Sequence, residues 1–519
     1  MIMKRFWLKC MLLTVLLGML AIPAGPAALG QAVRWSSPVA LSPEGSFAWF
    51  PDILADASGQ VHAVWASGVS GYDQVIYSVL PADGKWTTPN DIFALPQVGS
   101  NSAATRPALL LDRSGRVHVS FADLTKVYYS NARLADAARV NGWAPKFPIS
   151  GDQTAYFSRT ALDSRNRLHL VFSQNAPSEA CQNCYHIYYR QSVDGGASWS
   201  AAVDLVNDAI GAVKPQILVD AADRIQVVWE AGLGGGLGQL TGPTYVAYVR
   251  SEDGGKSWSK AVRLNGSGTE DGKNITIGMD RLKNLVAAWW ALPSDQILYR
   301  RSSDGGRSWS EPAAVPQVWG AAAVFSSKLD DYAVANDGDG NLHLVAVGRR
   351  AEAQKSLDVL DLRWDGEAWS APDPIATYTG DVPEWPRVTI SQGNRLHAAW
   401  FVRDEPHIWL SDEGRYRVWY ASGTINAAYV KPGETAKASP VLTPTAAPAA
   451  SPTASRAAAQ ATATAAVTAM PLPAAAQPVS AGLPSSESEA LVLLGKALLP
   501  SAAAMIAIVL VVLWRQRRP

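Results

Sequence analysis

The sequence predicts an all-β chain: a β-propeller of four-stranded blades, followed by a disordered C-terminal stalk and a single transmembrane helix. Three observations carry this. One strand–turn–strand pattern returns seven times between Pro51 and Trp400, at intervals of 51 to 60 residues. Six of the copies are followed by a Trp that opens one more strand, and the seventh is not. Near Lys431 a region dense in Trp, Tyr, Val and Gly gives way to Ala, Pro, Thr and Ser. Self-similarity at such a period marks a repeat architecture, in which each unit buries its apolar faces against its neighbours.

Residues 1–32 read as a secretory signal peptide: Lys4 and Arg5, an apolar run from Met11 to Ile22, then small residues ending at Ala32. Each repeat begins with an apolar strand, a turn holding Asp or Gly, and a second strand. Examples are "PDILADASGQVHAVW" from Pro51, "PALLLDRSGRVHVSF" from Pro107 and "PRVTISQGNRLHAAW" from Pro386. A third strand follows, as in "VIYS" at Val75 and "VWYAS" at Val418, and a fourth opens with Trp86, Trp143, Trp199, Trp258, Trp309 or Trp369. Short antiparallel strands in four-strand units of about 50 residues describe a propeller. The last unit lacks its own fourth strand, and Trp35–Leu41 is expected to supply it, closing the ring. The count is seven blades, or six if the unit from Tyr332 is an insertion. The propeller spans 33–430. Residues 431–489 have too little large apolar surface to offset their ordering entropy and form the stalk. Residues 490–514 hold the anchor, whose apolar run from Ala497 to Trp514 is long enough to cross a bilayer. Arg515, Arg517 and Arg518 in the tail 515–519 should stay cytoplasmic, which leaves the propeller outside an exported, surface-anchored protein.

The formal net charge of +0 gives no support for nucleic-acid binding. Cys10 leaves with the signal peptide, and Cys181 and Cys184 are expected to pair locally in an oxidising compartment. A metal site would need two more ligands where only His186 is near, so no metal and no cofactor is expected. Five of the seven His (His62, His118, His169, His343 and His397) occupy one repeat position, as do Asp56, Asp112, Asp163, Asp220, Asp280 and Asp337 at the turn. Groups copied into blade after blade hold the fold; chemistry should lie where the blades differ.

Between third and fourth strands the chain repeats "SVDGGASWS" at Ser192, "SEDGGKSWS" at Ser251 and "SSDGGRSWS" at Ser302. Asp194, Asp253 and Asp304 can accept backbone N–H bonds in the turn. Gly196, Gly255 and Gly306 supply positive φ, and Trp199, Trp258 and Trp309 pack into the blade. The motif resembles the Asp-box, or BNR repeat, of the sialidase-like propellers, with degenerate versions at Asp83–Trp86 and Asp365–Trp369. In that family the boxes lie on the face away from the ligand, which makes them scaffold.

Aligned on the inner strand, the units place Phe50, Arg106, Phe157, Lys214, Asn274, Asp331 and Trp385 just before its first position. Asp52, Ala108, Arg159, Gln216, Thr276, Ala333 and Arg387 come just after it. Loops after the second strand would add Asp123, Gln174, Glu230, Trp290, Arg403 and Asp404. Arg106, Arg159, Arg387 and Lys214 with Phe50, Trp385 and Trp290 suit a glycan or another anionic ligand, since Arg grips carboxylate by paired N–H bonds. The resemblance to sialidases implies three arginines on a sialic-acid carboxylate, a Tyr nucleophile assisted by Glu, and an Asp acid/base. By position these would be Arg106, Arg159 and Arg387; Tyr332 or Tyr245 with Glu230; and Asp52. The family's Phe/Tyr-Arg-Ile-Pro motif is matched only by Phe50-Pro-Asp-Ile53, without its Arg. The leading expectation is a monomeric glycan-binding propeller, the alternative an exo-sialidase or related glycoside hydrolase. Long loops over the channel mouth, such as the one from Glu230, would instead suit a scaffold for protein partners.

Overall fold

The computed structural model describes residues 33–431 apart from 70, 83, 97–105, 124, 180, 207–209, 235–239, 267–269, 326–328 and 405–414. The chain divides into two units, 1–442 and 443–519, and every described residue lies in the first. The signal peptide, the anchor, all of the stalk beyond Lys431 and Asp83 of the first degenerate box lie outside the described residues. Among the described residues, no helix is long and apolar enough to cross a membrane.

Among the described residues the fold is an all-β propeller, interrupted only by the single-turn 3-10 helices Leu134–Asp136 and Val140–Gly142. Five sheets have four strands each. Their innermost strands are Ala108–Leu111, Ala155–Leu162, Gly211–Val219, Asp271–Met279 and Ala333–Asn336. The rest of the chain departs from the expectation of seven separate blades. Its first and last repeats share one nine-stranded sheet, joined where Tyr416 pairs in parallel with Phe47. A single parallel pair there ties the third strand of the last repeat to the innermost strand of the first, which sequence periodicity does not reveal. The N-terminal strand pairs antiparallel with Tyr416–Thr424, Trp35 opposite Gly423 and Val39 opposite Tyr420.

The repeated polar residues work as connectors. Asp56 accepts the backbone N–H of Ser58 at 2.8 Å and of Gln60 at 2.9 Å on one carboxylate oxygen. Asp112, Asp163, Asp220, Asp280 and Asp337 bind the same two positions of their own turns. The His copies reach outward: His62, His118, His169 and His397 lie 2.6 to 2.7 Å through Nδ1 from the hydroxyls of Tyr77, Tyr129, Tyr189 and Tyr420. Each Tyr is met edge-on by a Trp of the following repeat, which stands four residues ahead of the fourth strand rather than opening it as the sequence predicts. Trp199 lies 5.0 Å from Tyr129, Trp258 5.0 Å from Tyr189, Trp86 5.0 Å from Tyr420 and Trp143 5.9 Å from Tyr77. Trp309 meets Tyr248 in the same way at 5.0 Å, where Gln226 replaces the His. Such edge-to-face pairs are worth about 1 kcal/mol each beyond the area they bury.

The three DGG turns complete this joint. Ser192 Oγ donates to Asp194 at 2.8 Å and accepts the N–H of Gly196 at 2.8 Å, and Asp194 also takes the N–H of Ser198 at 2.9 Å. Asp253 and Asp304 repeat the pattern. Cys181 and Cys184 are disulfide-bonded, with Cα atoms 5.6 Å apart.

Candidate functional site

The innermost strands do not run smoothly into the axis. Phe50, Arg106, Phe157, Lys214, Asn274 and Trp385 all adopt positive φ, between 38° and 57°. These are six of the seven residues aligned just before the strand; Asp331 is the exception. Pairing slips beside most of them, between Trp49 and Asp52, Tyr156 and Ser158, Val213 and Gln216, Lys273 and Thr276, and Glu384 and Arg387. Each is a β-bulge, which inserts a residue and re-aims its side chain. Left-handed backbone costs an L-residue about 1–2 kcal/mol. A ring of large residues held there by the surrounding sheet is a feature typical of functional sites.

Trp385 stands at the centre of one cluster. Its ring lies 5.0 Å from Phe50 and 6.4 Å from Phe157, with the guanidinium of Arg387 at 4.3 Å and that of Arg159 at 5.3 Å. Arg106 is held between Phe50 at 4.4 Å and Phe157 at 4.5 Å. Three donors converge on Asp331 Oδ2: Gln216 Nε2 at 2.7 Å, Arg387 Nη2 at 2.9 Å and Arg159 Nη2 at 3.4 Å. Asp52 accepts the Leu109 N–H at 2.8 Å and lies 3.9 Å from Arg387 Nε. Burial lowers the Arg106 guanidinium to about 10. Burial, with Arg387 next, lowers that of Arg159 to about 10. Burial raises the carboxyl of Asp52 against the pull of Arg159 and Arg387.

Lys214 organises a second cluster. Its Nζ donates to Glu230 at 3.1 Å and to the Asp330 carbonyl at 2.8 Å. Glu230 also accepts the Asn274 N–H at 2.7 Å. Asp330 takes the Trp385 N–H at 2.8 Å and the Asn274 amide at 3.2 Å, which stitches three repeats together. Its carboxyl is pushed up to about 8, chiefly by burial. Tyr332 is buried alongside, its phenol driven upward by burial and then by Asp330 and Asp295.

The aligned positions thus separate into two neighbouring groups. Asp52, Arg106, Arg159, Arg387, Phe50 and Trp385 lie in the first, while Lys214, Glu230 and Tyr332 lie in the second. Trp290 joins neither as a stacking surface. It is buried and donates through Nε1 to Asp295 at 2.8 Å, the carboxylate that also holds Arg349 at 2.6 Å. Tyr245 stacks under Arg263 at 5.0 Å, Asp123 caps its own turn, and Gln174 accepts the Gly151 N–H at 2.6 Å. Arg403 is spent on buried Glu384, at 2.9 Å through Nη2. Sequence reasoning missed Asp330, Glu384 and Tyr156. The doublet Asp330-Asp331 at a ring position was the one signal available. Nothing in the sequence marks Tyr156, whose ring lies 5.8 Å from Arg106.

No family model matches the chain, and no curated protein does. Among solved structures, a polysaccharide lyase PL25 ulvan lyase bound to -[GlcA(1-4)Rha3S]- superposes with a TM-score of 0.52 at 11% identity. That match covers 74% of this chain and 95% of the lyase. A sialidase from Streptococcus pneumoniae gives 0.40 at 12% identity, covering 76% of this chain and 70% of that one. The intramolecular trans-sialidase from Ruminococcus gnavus gives 0.41 at 13%, covering 74% and 96%. The neighbours include polysaccharide lyases and sialidases, and at 11% identity the likeness to the lyase is one of fold.

Proposed function

We propose that this chain is a surface-anchored, sialidase-like propeller that binds a glycan or another anionic ligand at its axial face without cleaving it. The observation that carries the reading is a concentration of buried polar atoms without hydrogen-bond partners around Trp385. They are Arg106 Nε, Arg387 Nε, Trp385 Nε1, Tyr156 OH and Asp331 Oδ1. A buried unpaired polar group costs about 1–3 kcal/mol, so five beside one aromatic cage favour a site that is completed by something bound. The exposed part of Arg159 and Asp52, 15% and 16% of their side chains, gives solvent access to it. In this reading the DGG turns are Asp-boxes and the nine-stranded sheet counts as two blades, which makes seven. Residues 1–32 export the chain, and residues 490–514 hold it in the membrane with its C-terminus cytoplasmic.

Hydrolysis of sialidase type is the second reading. Asp52, with its raised carboxyl, suits an acid, and Tyr332 and Glu230 both adjoin Asn274. Against it, Tyr332 is buried with its phenol shifted away from ionisation, and Glu230 is committed to Lys214 and a backbone N–H.

The test incubates the full-length chain with a fluorogenic sialoside beside Arg387→Ala, and screens both on a glycan array. Array binding lost in the variant, with no turnover by either, is the expected result. Turnover abolished by Arg387→Ala would establish the hydrolase. Binding that survives the substitution would move the ligand away from the axial face.

A further inference from the structure

We infer that Asp331 makes the axial site selective for a neutral sugar over its acidic counterpart. This rests on the axial-face reading above and, of the two ligand classes named there, keeps the glycan and sets aside the anion. Asp331 Oδ2 sits where Gln216 Nε2, Arg387 Nη2 and Arg159 Nη2 converge, at 2.7, 2.9 and 3.4 Å. That is the point at which an incoming carboxylate oxygen would have to stand, and the protein already holds one of its own there. A ligand acid could reach these arginines only by displacing Asp331 or lying against it, and like charges brought together on desolvation are strongly unfavourable.

The unpartnered atoms point the same way. Arg106 Nε, Arg387 Nε and Trp385 Nε1 are donors only, Asp331 Oδ1 is an acceptor, and Tyr156 OH is either. A carboxylate or sulfate group offers acceptors alone, so it cannot itself answer Asp331 Oδ1 and only a hydroxyl of the ligand can. A sugar hydroxyl is both donor and acceptor, so a run of hydroxyls satisfies the mixed set, while Trp385, Phe50 and Phe157 supply flat apolar faces for the ring.

The experiment measures binding of the full-length chain to matched oligosaccharide pairs, neutral and capped with a uronate or sialate, for the wild type, Asp331→Asn and Arg387→Ala. The wild type is expected to prefer the neutral member of a pair. Asp331→Asn, which keeps the shape and removes the charge, should improve binding of the acidic member by about tenfold or more. Arg387→Ala should weaken both. A wild type that binds the acidic member more tightly overturns the inference whether or not Asp331→Asn folds. So does a folded Asp331→Asn whose preference is unchanged. Failure of the underlying reading looks different: no member of any pair binds, or binding persists in Arg387→Ala.

Discussion

His343 occupies the repeat position of the other structural histidines but lacks their tyrosine. Asp361 stands in its place, 3.0 Å from Nδ1, and Asp337 lies 3.6 Å from Nε2. Burial alone would lower this imidazole, but the two carboxylates outweigh it and raise the pKa to about 9. A folded-state value above the ordinary 6.5 means the stabilisation is complete below pH 6.5 and drains away as pH rises through about 9. His397 runs the other way. Burial, helped by Arg395, lowers it to about 3, so the unfolded chain takes up a proton that the folded chain refuses, and stability falls as pH drops from 6.5 towards 3. Thermal melts across pH should therefore decline on both sides of pH 6.5. His343→Gln should remove much of the alkaline decline, because an amide does not titrate there; Gln226 already stands at the equivalent repeat position, 2.6 Å from the Tyr248 hydroxyl. An unchanged alkaline limb in the variant would contradict the assignment. At this scale the sequence located most of the axial residues, since asymmetry between repeats is visible in an alignment. It did not show that Asp331 ties Arg159 to Arg387, because partners between 56 and 172 residues apart are a property of the closed ring.

The turn between third and fourth strands is an element whose role was readable from its residues. Asp and Ser bind the backbone locally, and only glycine fits where the turn meets the preceding repeat. At Gly306, φ is 86°, and a Cβ atom would lie 1.6 Å from the Tyr248 hydroxyl. Gly306→Ala should therefore destabilise by about 2–4 kcal/mol, from left-handed strain plus overpacking. Chemical denaturation would register this as a lower midpoint with an unchanged slope. The glycan binding proposed above should be unaffected in the folded variant, since the turn serves the scaffold. The bulges of the inner strands were not readable. Phe, Arg, Lys and Trp are poor signals for positive φ, and their backbone is imposed by the packing of whole sheets rather than chosen locally. That is why the alignment gave the ring's membership and not its geometry.

For the molecule as a whole, the repeat period and the missing last Trp together disclosed a ring closed by its own N-terminus. They did not disclose that closure merges the first and last repeats into a single sheet. Deleting residues 33–41 from the chain should remove the cover that Trp35 and Leu41 give the final repeat and lower stability by about 3 kcal/mol or more. Limited proteolysis should then cut first in the last repeat, near Tyr416–Thr424. Cleavage beginning elsewhere would show that the ring does not depend on this clasp.

The position of that last strand has a mechanical consequence. Tyr416–Thr424 is flanked by Arg395–Arg403 on one side and by the N-terminal strand on the other, and the chain leaves it with the Val430 N–H bonded to Gln392. A pull directed along the strand would load hydrogen bonds that lie perpendicular to it on both edges. The bonds must then yield together rather than one after another. A domain so arranged is stiff towards a pull along its last strand.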